Sequence, residues 1–113
     1  MNHLIIFAHP NSARSFGRAI ANRIEQISQE NGVNVFFRDL YEMNFNPILS
    51  HEELQNANKG IIPEDIQQEH DFILQADLIT LVYPLWWMGF PSILKGYLDR
   101  VLGHGFAYKT ENG

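Results

Sequence analysis

The sequence contains no cysteine, so disulfides, thiolate metal sites and a cysteine nucleophile are excluded, and a reducing compartment is consistent with that absence. No stretch approaches the roughly 18–20 continuous apolar residues that a bilayer span requires, so no membrane insertion is expected. The opening MNHLIIFAHP lacks the basic region and long apolar core of a signal peptide, and a cytoplasmic location is expected. Basic residues are scarce: 8 Lys and Arg stand against 13 Asp and Glu, for a net charge of −5. With no basic stripe to displace counterions from phosphate backbones, nucleic acid is not an expected partner. Two phosphate-loop signatures are also missing. There is no G-x-x-x-x-G-K followed by Ser or Thr, and no G-x-G-x-x-G. His3, His51, His70 and His104 show no H-E-x-x-H or clustered spacing, so no metal site is expected.

What is present is an ordinary globular balance, 45% apolar and 19% charged over 113 residues, enough for one small domain and too few for two. His3 to Ala8 (HLIIFA) is a short apolar run that fits a strand buried on both faces. Phe16, Ile20, Ile24 and Ile27 recur at helical steps and predict a helix from about Ser15 to Glu30, stopped by Asn31-Gly32. VNVFFR (33–38) reads as a second strand, more exposed than the first. A short helix near His51 to Asn58 and another from Pro63 to about Gln75 follow, the latter with Ile66, Ile73 and Leu74 partly on one face. LITLVY (78–83) is a third, apolar strand. Ile93, Leu94, Tyr97, Leu98, Val101 and Leu102 form a wide helical stripe closed by Gly103.

Strands alternating with helices at this spacing predict an α/β, doubly wound parallel sheet with right-handed crossovers. In such sheets a ligand sits beyond the carboxyl ends of the strands, where the strand order reverses. With the order 2-1-3, the loops AHPNSARSFG and YPLWWMGFP meet there. The first loop carries His9, Ser12, Arg14 and Ser15 and opens a helix whose free N–H groups and dipole suit a phosphate. The plain alternative is that Ser15 only caps the helix and His9 only ends the strand. The second loop carries Trp86, Trp87 and Met88. These pack either under the last helix as core or around a planar aromatic cofactor. The pairs Glu52-Glu53 and Glu64-Asp65 read as solvated helix-end charges.

The segments LIIFAHPNSARSF, DLYEMNFNP, ADLITLVYPLWWMGFPSILKGYLDRV and GHGFAY, in that order, resemble the NAD(P)H:quinone oxidoreductases of the DT-diaphorase type. The resemblance runs along nearly the whole chain. Its most specific part is Ala76 to Val101, where P-L-x-W, G-x-P and I-L-K-G occur together. It implies a flavodoxin-like fold that binds FMN or FAD and uses NAD(P)H as electron donor to reduce a quinone. It further implies that His9 and the Ser15-Phe16-Gly17 turn hold the flavin phosphate region. Pro84, Leu85, Trp86 and Trp87 would line the isoalloxazine, with the prolines fixing the two ends of the loop and Gly89 allowing a tight approach. Trp87, Met88 and Tyr108 match the positions that shape the nicotinamide and quinone pocket, often across a homodimer interface; Met88 stands where some relatives carry an aromatic. No catalytic side chain is implied, because the flavin performs the electron chemistry.

The family domain continues for two more strands and helices, so the expectation for residues 1–113 is a flavin-binding domain truncated at its C-terminus, with strands 4 and 5 missing. Two rival functions are a regulatory subunit of a potassium efflux system and a flavodoxin-like one-electron carrier. The latter uses a Ser/Thr- and Gly-rich phosphate loop, unlike HPNSARSF.

Overall fold

The computed structural model describes residues 1–103 and 106. Its elements run β1 (Asn2–Phe7), α1 (Phe16–Glu30), β2 (Asn34–Asp39), α2 (His51–Ala57), α3 (Glu64–Gln75), β3 (Leu78–Val82) and α4 (Ser92–Val101). The three strands form one parallel sheet in the order β2-β1-β3, as the alternation of strand and helix predicts. Its central strand is continuously apolar because it is covered on both faces and paired on both edges. Side chains of β1 alternate between two layers. Leu4, Ile6 and Ala8 enter the larger core with Ile66 of α3 and Ile93, Leu94, Tyr97 and Val101 of α4. Ile5 and Phe7 pack on the opposite face against Ala21 of α1, with Val35, Phe37 and Val82 beside them.

Two sequence expectations change on folding, both in how much of an apolar helical stripe is covered. The stripe Phe16, Ile20, Ile24, Ile27 does not sit wholly on the core. Ala21 is the buried residue of α1, Ile24 packs partly, and Phe16 is 83% exposed, with Ile20 and Ile27 also open. The helix packs chiefly over β1 and β2 and less over β3, which leaves part of its apolar stripe uncovered. β3, with strand 4 missing beside it, is an apolar sheet edge as the strand order leads one to expect, and leaves Leu78 and Ile79 exposed. On α3, Ile66 is buried and Ile73 packs against the core, whereas Leu74 faces solvent.

The acidic pairs also need revision. Glu53 and Asp65 stand in the first turns of α2 and α3, where acidic side chains favour the helix dipole, yet both are bound to Arg100. The Arg100 guanidinium, almost wholly buried, donates to both Glu53 oxygens, to both Asp65 oxygens and to the Asn46 carbonyl at 2.8–3.2 Å. A charge taken from water this completely persists only when every donor is met. The carboxylate hydrogen bonds hold Arg100 above its ordinary pKa against the opposing effect of burial, which is the larger single influence. One cation thereby joins α2, α3, α4 and the 40–50 loop. A second buried group, Glu69, accepts from Arg38 at 2.6 and 3.1 Å and from the Tyr97 hydroxyl at 3.2 Å. Burial, followed by the neighbouring Glu69 charge, pushes the Tyr97 phenol far above its usual range. His3 and His70 are buried and hydrogen-bonded. The first bridges Ser28 and Thr80, and the second bonds the Val101 carbonyl. Among the described residues, no buried side-chain nitrogen or oxygen lacks a partner.

Candidate functional site

The site begins where β1 runs out. The Ala8 N–H donates to the Val82 carbonyl at 3.0 Å, which holds the exits of β1 and β3 side by side before their loops diverge. Two residues on, the Asn11 N–H donates to Nδ1 of His9 at 3.0 Å. In the neutral ring the proton therefore lies on Nε2, which remains a donor for something outside the loop. The Ser15 N–H closes the loop onto the Asn11 carbonyl at 3.2 Å.

Ser15 is the N-cap of α1, with extended backbone angles (φ −72°, ψ 158°), and its Oγ accepts from the Arg18 N–H at 3.0 Å. The capping reading is thus correct for its oxygen, while the hydroxyl proton is left to donate elsewhere. The cap satisfies one of the orphan donors of the first turn. The N–H groups of Phe16 and Gly17 have no partner among the described residues. Gly17 adds a gap: a Cβ there would lie 3.6 Å from the Phe7 ring and 4.0 Å from Val82. Phe7, Gly17 and Val82 all line one cavity of about 260 Å³, which also touches His9, Phe16 and Pro84. Two free N–H groups at a helix N-terminus beside a side-chain-free gap suit a phosphate group, so the residues present fit the phosphate end of a flavin.

The second loop is built differently from expectation. Trp86 and Gly89 exchange hydrogen bonds, the Gly89 N–H to the Trp86 carbonyl at 2.9 Å and the Trp86 N–H to the Gly89 carbonyl at 3.3 Å. The two residues between them have positive φ, 50° for Trp87 and 59° for Met88. Such successive left-handed residues normally call for Asn-Gly, and in bulky side chains each costs about 1–3 kcal/mol. Gly89 closes this turn through its hydrogen bonds to Trp86. Its φ is not left-handed, and a Cβ there would meet only the Trp86 and Trp87 carbonyls at 3.8 and 4.0 Å, ordinary contact. The turn throws its two central side chains into solvent, with Trp87 102% and Met88 94% exposed. Core packing beneath α4 is excluded for both. The loop's ends are anchored: Tyr83 meets Phe90 edge to face at 4.9 Å, and Pro91 is the N-cap of α4 (φ −56°).

The two loops do meet. The rings of His9 and Trp86 lie 6.3 Å apart, tilted by 58°. Of the residues singled out in the sequence, His9, Phe16, Gly17 and Pro84 line the cavity, and Ser15 supports it from the cap. Leu85, Trp86, Trp87 and Met88 stand outside it as an exposed apolar rim. Tyr108 lies outside the described residues. Sequence reasoning missed Phe7, Ile20, Val82 and Tyr83 as lining residues. Strand alternation through Phe7 and His9, and the helical step from Phe16 to Ile20, could have found two of them.

A family model described as having the flavodoxin-like fold matches residues 1–113. The chain belongs to this flavodoxin-like family. It is 96% identical over 113 residues to a Haemophilus influenzae protein named as an NAD(P)H oxidoreductase, covering 100% of this chain and 56% of that one. It is 34% identical over 122 residues to NAD(P)H dehydrogenase (quinone) 1 of Rattus norvegicus, covering 93% and 44% respectively. Among solved structures, an NAD(P)H:quinone oxidoreductase from Methanothermobacter marburgensis superposes with a TM-score of 0.90 at 40% identity, covering 99% of this chain and 58% of that one. The chain spans about half the length of the curated relatives it matches.

Proposed function

We propose that this chain forms the flavin-binding part of an NAD(P)H dehydrogenase (quinone), with FMN or FAD as cofactor. The observation that carries the reading is the meeting of the His9 loop and the Trp86 loop beside unpartnered N–H groups at the start of α1. Chains named as NAD(P)H oxidoreductases and quinone dehydrogenases share this sequence and fold. The chemistry a flavin supplies when bound is acceptance of a hydride from NAD(P)H and delivery of two electrons and protons to a quinone.

The chain's own residues bind and orient. The Phe16 and Gly17 N–H groups and the Ser15 hydroxyl would donate to a phosphate, with His9 Nε2 as a further donor at the cavity wall. Pro84, Leu85 and Trp86 supply backbone and ring surface for a flat heterocycle, with Trp87 and Met88 at its outer rim receiving nicotinamide or quinone in turn. The exposure of those last two side chains supports completion of the acceptor pocket by a second copy of the chain. Because donor and acceptor share one pocket, ping-pong kinetics are expected. The test is anaerobic: purified protein loaded with FMN or FAD is mixed with NADH or NADPH and then with a quinone. The flavin's visible absorption should bleach and then recover; no bleaching with either nucleotide overturns the reading.

A further inference from the structure

Helix α2 buries none of its residues, and at seven residues it is too short to stand alone, since a helix in water recovers its nucleation cost only over about 12–15 residues. The Ser50 cap and the acidic first turn give it local support. Its tie to the other helices is Glu53, which accepts from Arg100 Nε at 3.1 Å and from Nη2 at 2.9 Å. Arg100 does not depend on Glu53 alone. Its Nη1 donates to the Asn46 carbonyl and to Asp65 Oδ2, both at 2.8 Å, and its Nη2 reaches Asp65 Oδ1 at 3.2 Å. If Glu53 withdraws, the buried cation keeps a two-point carboxylate partner, and no unpaired charge is left behind. At the far end of α2 stands Gly60 with φ 77°, a residue that absorbs a change of chain direction at little cost. Between α2, α3 and α4 lies a cavity of about 100 Å³ whose walls include Glu53, Leu54, Ala57, Ile66, His70 and Arg100. It shares no lining residue with the cavity beside His9.

We propose that α2 is a lid on this cavity: it lifts as a unit while the sheet, α3 and α4 stay in place, and the Glu53–Arg100 ion pair is its latch. Closed and open states differ only by the interactions that α2 itself makes, so the opening belongs to the low end of local unfolding. The wall left behind keeps its shape. His70 stays bonded to the Val101 carbonyl at 2.8 Å through Nε2, and the Arg100–Asp65 pair still holds α4 to α3. Opening therefore gives water and small apolar molecules a way to Ile66 and His70 without disturbing the loops at His9 and Trp86. The inference stands apart from the function proposed above, because it uses no residue of that site.

Native-state hydrogen exchange of the full chain, followed by NMR across low urea concentrations, reads the opening. The α2 amides should exchange at least about ten-fold faster than those of β1, and with little dependence on urea, because a local opening exposes little surface. Glu53→Gln keeps the length of the side chain and removes its charge; it should speed α2 exchange by about ten-fold or more. Asp65→Asn removes a bond that closed and open states both keep, so α2 exchange there should not rise. Three results would each overturn the proposal. These are α2 amides that exchange only through the urea-sensitive opening that releases β1, α2 exchange unchanged in E53Q, and a rise in D65N equal to that in E53Q. The first is read on the unaltered chain, so it decides the matter even if a variant fails to fold.

Discussion

Gly17 is the position where stability and binding should part company. It lies in the first turn of α1, where glycine is less favourable than alanine by about 0.5–1 kcal/mol because of its backbone freedom when unfolded. Nothing in the fold requires it. Its φ is not left-handed, and a Cβ would sit 3.6 Å from Phe7 Cε1, 3.8 Å from Ser15 Oγ and 4.0 Å from Val82 Cγ1, all ordinary contacts. Gly17→Ala should therefore stabilise the flavin-free protein by about 0.5–1 kcal/mol, raising Tm by roughly 2–6 °C. The same methyl projects toward the cavity lined by Phe7 and Val82, beside the N–H groups offered to phosphate. Loss of one charge-assisted hydrogen bond there, worth about 1.5–3 kcal/mol, should weaken FMN and FAD binding by about ten-fold or more. Thermal unfolding followed by circular dichroism reads the first effect, and quenching of flavin fluorescence on titration reads the second. A lowered Tm would show that the gap is not a true gap. A raised Tm with unchanged affinity would show that the phosphate binds elsewhere.

Gly96 gives the opposite result. A Cβ there would lie 2.2 Å from the Pro47 carbonyl oxygen and 2.5 Å from its Cα, so Gly96→Ala must push the 40–50 loop off α4. A loss of about 2–4 kcal/mol is expected from overpacking and the core contacts surrendered with it, read as a fall in the urea midpoint. Arg100→Met leaves the carboxylates of Glu53 and Asp65 without their cation, at side-chain exposures of 13% and 52%. About 3 kcal/mol should be lost, mostly through Glu53 because Asp65 can rehydrate. Tyr97 sets an alkaline limit. Its phenol is raised above the ordinary 10.0 by burial and by Glu69, so the unfolded chain releases this proton first and stability falls as pH rises past about 10. The slope should reach about 1.4 kcal/mol per pH unit, and in Tyr97→Phe denaturation curves it should flatten.

Much of the fold was legible because it is written locally. The run HLIIFA, the steps of four and three from Phe16 and the wide stripe after Pro91 each state a period, and the three strands and the helices lie within a residue or two of where those periods end. Less of the cavity's lining was legible. The reversal of strand order brings the His9 and Trp86 loops together, and His9, Phe16, Gly17 and Pro84 line one cavity, whereas Phe7, Ile20, Val82 and Tyr83, which complete it, read in the sequence only as parts of strands and helix. The misreadings share a cause. Glu53 and Asp65 looked solvated because their partner is 47 and 35 residues away in Arg100, and no local pattern announces a pairing at that range. No turn residue of the usual kind marks the Trp87-Met88 turn, yet these two take the left-handed angles, since the hydrogen bonds between Trp86 and Gly89 fix which residues lie between them.

By itself the sequence determined which segments are strands and helices, their order in a parallel α/β sheet, and which two loops adjoin. Hydrophobic period and turn residues act over a few positions, and chirality fixes the crossovers. Only the tertiary structure decided how much of each apolar stripe is covered, which carboxylates Arg100 gathers, and that Trp87 and Met88 point outward. Those outcomes depend on where whole elements come to rest against one another: coverage of α1 is set by which strands it lies over, and charge pairing by the helices that meet around a buried cation.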